Sequence, residues 1–433
     1  MNRTKNVLLT LALFIGTLPF LGKMINATEM KYYEVIFPAP AAPEAGELVM
    51  AAEWRIAIPK GVQTLRGVLI HQHGCGEGSG NSGRTGAIDL HWQALAAKYD
   101  CALLAVSYRQ ENHPCENWCD PRNGSAQSLF KALDHFAQTS GHPELSVIPW
   151  TLWGHSGGAH WSGSMVQLYP QRVVAAWLRS GHPDCVGLTF DSLPMNEDVL
   201  TVPIMLNLGA KETDISFVWD TAWVYFQKIR AQGAKIGVMI DPETHHETGN
   251  SRYPAIRFLD ICMEQRLPVV PGSSELRPMQ TEVLLPANEL EDESHRAFVQ
   301  NGIWLPCEEF VDVWKKYSAD NTFEDETPPP APTDVSIDSV GLMTWKCDAD
   351  LESGLETFAI YCNGEEIAKL PTAPTVNGRP LFQGMSYSDT PDASLPIMAF
   401  KIDPYRAEEE KVYSVAAINT AGLVSSQTEA QKR

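Results

Sequence analysis

Between residues 67 and 264, short apolar runs alternate with segments of helical period, and this alternation narrows the fold more than any other feature of the 433-residue chain. Strand-like runs fall at 67–71, 102–106, 150–153, 173–178, 202–208 and 236–240, and helix-like segments at 125–138, 157–168, 215–231 and 256–264. In 125–138 the residues Ala126, Leu129, Phe130, Leu133, Phe136 and Ala137 recur at spacings of three and four, which lines one face of a helix. Strands that are apolar throughout and alternate with helices predict the α/β class, a mainly parallel sheet with helices on both faces. In such sheets ligands meet the loops where strands end.

Chemistry enters where the run 150–153 gives way to the small-residue helix at 157, in Gly154-His155-Ser156-Gly157-Gly158. Glycines on both sides of a serine let the chain turn sharply from strand to helix and leave the hydroxyl exposed. The helix starting there aims unpaired N–H groups at negative charge developing beside Ser156. After 67–71 comes His73-Gly74-Cys75-Gly76, a loop able to set a second N–H beside that of Gly157 and form an oxyanion hole. An acid is offered after 202–208, in Gly209-Ala210-Lys211-Glu212-Thr213-Asp214. A base is offered after 236–240, in Asp241-Pro242-Glu243-Thr244-His245-His246-Glu247. Serine, acid, histidine is the chain order of α/β-hydrolases, unlike that of chymotrypsin or subtilisin.

With these motifs in that order, the stretch 33–267 resembles the α/β-hydrolase superfamily, and within it the secreted esterases related to polyhydroxybutyrate depolymerases and feruloyl esterases. The resemblance implies Ser156 as nucleophile, the N–H groups of Gly157 and Cys75 as oxyanion donors, and one of His245 and His246 as base. The superfamily usually sets its acid three residues past the glycine ending the strand, which is Glu212 here; aspartate is the commoner acid, so Asp214 stands as the alternate and Asp184 as a third candidate. Adjacent loop side chains point to different sides, so one histidine serves Ser156. His246, followed by Glu247-Thr248-Gly249-Asn250 in a pattern similar to related exported hydrolases, ranks ahead of His245. His73 is expected to brace the oxyanion loop, and His71, His155, His160 and His182 to be hydrogen-bonded structural groups.

The polar segment 108–123 lies between a strand and a helix, where Trp118 would either stack on a sugar or aromatic acyl group or simply pin the loop down. Nine cysteines are too few for a disulfide scaffold. Cys115 and Cys119, one helical turn apart, are the expected pair. No zinc-type ligand spacing occurs, so no structural metal is expected.

At the amino end, Arg3 and Lys5 precede an apolar run at 7–21 that ends before small residues near Asn26 and Ala27, the pattern of a cleaved secretory signal over 1–27. That run is shorter than the ~20 residues a membrane helix needs, so no membrane span is expected after its removal. A catalytic domain over 30–267 is followed by a helical extension and linker at 268–327, with helices near 289–298 and 306–317 and a proline-rich stop at 328–332. Beyond it, short strands alternate with turns over 328–430. Trp345, the turn Tyr361-Cys362-Asn363-Gly364, and Tyr413 ahead of Asn419-Thr420-Ala421-Gly422-Leu423 resemble a fibronectin type III domain, an all-β immunoglobulin-like sandwich, read here as a spacer or docking module.

The formal charge is −20, and an acidic surface repels nucleic acid and anionic membranes. From Asp320 to Arg433 there are 19 acidic and 8 basic residues, so that stretch carries −11 of the −20 and the charge describes the appendage more than the site. The expected function is an exported, secreted or periplasmic serine esterase, free of cofactor and metal, acting on an ester substrate, a polysaccharide or polyester, through an acyl-enzyme. Competing readings are a serine peptidase on the same fold and a non-catalytic surface or adhesion protein whose hydrolase-like domain only binds.

Overall fold

The computed structural model describes residues 29–109, 115–183, 193, 197–212, 216–290, 293–322, 324–371, 382–391, 398–406 and 410–433. The expected signal segment 1–27 lies outside the described residues, as do Asp184 and Asp214.

The apolar runs form an eight-stranded sheet of β1 (Met30–Phe37), β2 (Ala52–Pro59), β3 (Val68–Gln72), β4 (Ala102–Tyr108), β5 (Trp150–His155), β6 (Val173–Arg179), β7 (Ile204–Gly209) and β8 (Ile236–Asp241). Its order is β1-β2-β4-β3-β5-β6-β7-β8. Pairing is antiparallel from β1 to β2 and β2 to β4, and parallel from there to β8. Every residue of β3 through β7 is buried. Since successive strand side chains point to opposite faces, both faces of the sheet are covered, as a mainly parallel sheet requires.

The covering helices are α1 (Glu77–Ser82), α2 (Leu90–Lys98), α3 (Glu116–Cys119), α4 (Ser125–Ser140), α5 (Gly157–Leu168), α6 (Ser216–Arg230), α7 (Arg252–Arg266) and α8 (Glu309–Asp320). Strands β1 and β2 and helix α2 have no counterpart in the periodicity reading. β1 is an edge strand with mixed exposure, and α2 starts where Asp89 accepts from the His91 and Trp92 N–H groups, both at 2.9 Å.

The segment 268–327, expected as a helical extension and linker, is partly built onto the sheet. β9 (Val283–Leu285) and β10 (Ile303–Leu305) pair antiparallel. α8 lies against β8, with Trp314 Nε1 donating to the Val238 carbonyl and Tyr317 OH to Asp241 Oδ2, both at 2.7 Å. Leu285, Trp304, Phe310 and Tyr317 share one core with the sheet. The helix expected at 289–298 is instead two short 3-10 turns, Ala287–Glu289 and Glu293–His295, because tertiary contacts claim the side chains: His295 stacks on Trp223 at 4.4 Å.

The C-terminal strands form two four-stranded sheets. One orders β15 (Ala399–Lys401), β12 (Leu342–Lys346), β11 (Thr333–Ile337) and β18 (Gln431–Lys432); the other orders β14 (Glu365–Leu370), β13 (Leu355–Cys362), β16 (Tyr413–Asn419) and β17 (Thr428–Glu429). Ile337, Met343 and Trp345 of the first pack with Phe358, Ile360 and Val415 of the second in one core. This unit is tied to the larger one, because residues 382–391, between β14 and β15, reach back into it.

Candidate active site

β5 ends at His155 and α5 begins at Gly157, so Ser156 alone carries the turn, at φ 55° and ψ −121°. A non-glycine residue holds such a conformation at a cost of ~1–3 kcal/mol, and only where its surroundings enforce it. Here the Ser156 N–H donates to the Arg179 carbonyl at 2.8 Å, and its own carbonyl accepts from the Ala159 and His160 N–H groups at 2.9 and 3.0 Å. A Cβ on Gly158 would press into the carbonyl oxygens of Gln72 and His73, so the helix can approach the end of β3 only with glycine there.

Ser156 Oγ lies 2.8 Å from His246 Nε2, and His246 Nδ1 lies against Glu212 Oε1. The buried Glu212 also takes the Ser180 hydroxyl at 2.8 Å and the Gly209 N–H at 3.3 Å on its other oxygen. Both oxygens therefore accept, which puts the imidazole proton on Nδ1 and leaves Nε2 to accept from the Ser156 hydroxyl. His245 is exposed, and its N–H donates to Glu247 Oε1 at 3.2 Å. Of the acids named from sequence, the described structure brings Glu212 to the histidine; Asp214 and Asp184 lie outside the described residues.

Arg179, buried at the end of β6, holds the histidine loop from beneath. It donates to Thr244 Oγ1 at 2.9 Å, to the His245 carbonyl at 3.0 Å and from Nε to the Glu247 carbonyl at 3.1 Å. His155 Nε2 donates to the His246 carbonyl at 2.7 Å. Burial holds His155 well below the ordinary histidine range, with the neighbouring His246 adding to the effect, so the ring is neutral. Sequence reasoning expected His155 to be a hydrogen-bonded structural group without naming its partner, and did not single out Arg179. For Arg179 a signal existed, a lone charge closing an otherwise apolar strand.

His73 lies beneath the loop it precedes: its Nδ1 donates to the Gly74 carbonyl at 2.6 Å and its Nε2 accepts from the Tyr108 N–H at 3.3 Å. Gly157, the first residue of α5, has an N–H without an intrahelical partner. Cys75 sits on the facing loop, and a Cβ on Gly157 would meet the sulfurs of Cys75 and Cys115.

Two expectations are corrected here. Cys115 pairs with Cys75, their Cα atoms 5.5 Å apart, and not with Cys119, whose buried thiol lies outside the disulfide. Cys119 closes α3 and faces the main core, while Cys115, ahead of that helix, faces the loop that carries Cys75. Trp118 is wholly buried, stacked on Tyr108 at 4.9 Å and packed beside His73, so its ring offers no face to a ligand. It pins the loop from inside.

Among the described residues no cluster of three His, Cys, Asp or Glu is arranged to hold a metal ion, and no helix is long and apolar enough to cross a membrane.

Neither a protein-family model nor a curated protein sequence matches the chain. Among solved structures it is similar to a thermostable esterase, at 15% identity and a TM-score of 0.35, over 48% of this chain and 54% of that one. It is similar to poly(aspartic acid) hydrolase-1 from Sphingomonas sp. KT-1, at 16% identity and a TM-score of 0.36, over 50% of this chain and 93% of that one. A zinc-bound cold-adapted esterase from an Arctic intertidal metagenomic library matches at 15% identity and a TM-score of 0.35, over 53% and 93%. The chain thus spans about half the length of the first of these.

Proposed function

We propose that this chain is an exported serine hydrolase that cleaves carboxylic esters through an acyl-enzyme. The observation that carries the reading is the unbroken line of contacts from Ser156 through His246 to Glu212, ending at a hydroxyl held on a strained turn. In this reading His246 Nε2 takes the Ser156 proton as the oxygen attacks the ester carbonyl, while Glu212 holds the ring and stabilises the imidazolium. The N–H groups of Gly157 and Cys75 bind the oxyanion. Nε2 returns its proton to the leaving alcohol, and water, activated by the same nitrogen, then frees the acyl group. Every step is proton transfer or addition and elimination, and none calls on a cofactor.

Export is supported by the basic and apolar start of the chain and by the Cys75–Cys115 disulfide, since such bonds persist in oxidising compartments, outside the cell or in a periplasm. The substrate class, an ester of a carbohydrate or a polyester, and the fibronectin type III reading of 328–430 rest on the sequence resemblance alone.

A fluorophosphonate probe should modify the purified protein at Ser156, and Ser156→Ala should abolish the label. A wild-type protein that is neither labelled nor active on acetyl, feruloyl, methyl-glucuronoyl or hydroxybutyrate esters overturns the proposal.

A further inference from the structure

The turn at 385–391 belongs by chain order to the C-terminal sheets and by contact to the larger unit. It closes on itself: the Ser386 N–H donates to the Thr390 carbonyl at 2.8 Å, and Met385 pairs with Pro391 across a single bridge. Its flanks are tied to the larger unit, with Thr390 Oγ1 2.9 Å from Ser82 Oγ, and Thr85 Oγ1 donating to the Pro391 carbonyl at 2.6 Å. Asp389 accepts from Trp92 Nε1 at 3.1 Å and pairs with Arg252 at 3.1 Å.

These anchors deliver Ser388, itself wholly buried, beside the Ser156 turn. Its Oγ lies 3.1 Å from the Gly74 nitrogen, 2.8 Å from Ser79 Oγ and 3.2 Å from His155 Nδ1. His155 Nε2 carries the proton it donates to the His246 carbonyl, so in the neutral ring Nδ1 accepts. The Ser388 hydroxyl then donates to His155 and accepts the Gly74 N–H and the Ser79 hydroxyl, which uses its full capacity. A Cβ placed on Gly74 would lie 3.2 Å from Ser156 Cβ and 3.1 Å from Ser388 Oγ, so both serines lie close against Gly74. A single hydroxyl from the C-terminal unit thus holds both the residue before Cys75 and the ring beneath the His246 backbone.

We propose that Ser388 is a positioning residue of the hydrolase site, fixing the Gly74-Cys75 backbone and, through His155, the His246 loop, so that acyl transfer draws on both units of the chain. This rests on the serine-hydrolase reading above. Oxyanion donors act only when set about 2.7–3.1 Å from the developing charge, and a loop freed of its anchor misses that distance part of the time.

The test uses the full chain, with p-nitrophenyl acetate, a fluorophosphonate probe and thermal melting. Ser388→Ala should lower kcat about tenfold, a fraction of the ~10²–10³ lost with an oxyanion donor itself, and slow probe labelling in parallel. KM should stay within about twofold, and the midpoint of the pH–rate profile should not move. Ser388→Cys keeps the shape with a weaker hydrogen-bonding group, and its kcat should fall between the two. If Ser388→Ala does not fold, Ser388→Cys against wild type decides by the same measures. The proposal is overturned if Ser388→Ala keeps kcat within about twofold, or if Cys recovers nothing and kcat falls only in step with melting temperature. A wild type that is neither labelled nor active overturns the serine-hydrolase reading and this inference with it, an outcome visible before any variant is made.

Discussion

Arg252 Nε lies 3.1 Å from Asp389 Oδ1, an ion pair in which both side chains are buried and which joins α7 to the turn carrying Ser388. The same guanidinium reaches Asp89 at 2.6 Å, so one cation serves two carboxylates. Burial by itself would raise the Asp389 carboxyl, but the Arg252 charge, with His71 and Trp92 nearby, outweighs it and holds the group at about 2. Removing the cation strands two buried charges. Arg252→Ala should therefore destabilise the protein by about 3–5 kcal/mol, and Asp389→Asn, which keeps the shape, by less. Guanidinium chloride unfolding checks this, and an Arg252→Ala protein within about 1 kcal/mol of wild type contradicts it.

The histidine pair separates two roles that adjacent residues carry on one loop. His246→Ala should lower kcat/KM by at least about 10³-fold, and Glu212→Gln, which keeps the shape but not the charge, by about 10²–10⁴-fold. His245 touches the loop through its backbone, so His245→Ala should stay within a few fold. Full activity in His246→Ala would sink the assignment of the base.

What the sequence makes legible here is what is local. Ser156 declares itself because the glycines that free its turn and the apolar strand before it are neighbours in the chain, and Glu212 because it follows a strand end by a short loop. The rest depends on contacts that only folding creates. Cys75 and Cys115 are 40 residues apart, and which sulfur faces Cys75 depends on how α3 is turned, which one-turn spacing cannot tell. Trp118 looks like a loop residue until Tyr108 and His73 close over it. Ser388 and Gly74 are separated by 314 residues, and nothing in the polar turn Ser386-Tyr387-Ser388-Asp389 marks a partner in another unit. β1 escapes notice because an edge strand with mixed exposure carries little periodicity.

The Cys75–Cys115 bond ties the Gly74-Cys75 loop, proposed above to supply an oxyanion donor, to the start of α3, so its loss should act on catalysis as well as stability. Closing a loop of 40 residues contributes about 2–5 kcal/mol by restricting the unfolded chain. Cys75→Ser with Cys115→Ser should melt lower and label more slowly with a fluorophosphonate at a temperature where both proteins are folded. Peptide mapping without reduction should recover 75 joined to 115; recovery of 115 joined to 119 overturns the pairing.

Acid should loosen the molecule through its buried histidines. Burial lowers His73 and His91 from the ordinary 6.5 to about 4, and His155 well below 6.5. Between about pH 6.5 and 4 the unfolded chain binds protons that these folded rings refuse, so ∂ΔG/∂pH is positive there. Their contribution is complete above pH 6.5 and is lost as the pH falls toward 4. Asp348, raised by burial to about 6, works in the opposite direction, so a difference between two proteins isolates the effect. His91 is the useful member, because its Nε2 accepts the Leu355 N–H at 2.9 Å across the boundary to the C-terminal unit. His91→Gln retains an acceptor and cannot titrate. Its melting temperature should fall less than that of wild type between pH 7 and 4.5, and the two curves should run parallel above pH 7. Equal slopes through the acid window would show that His91 carries none of the loss.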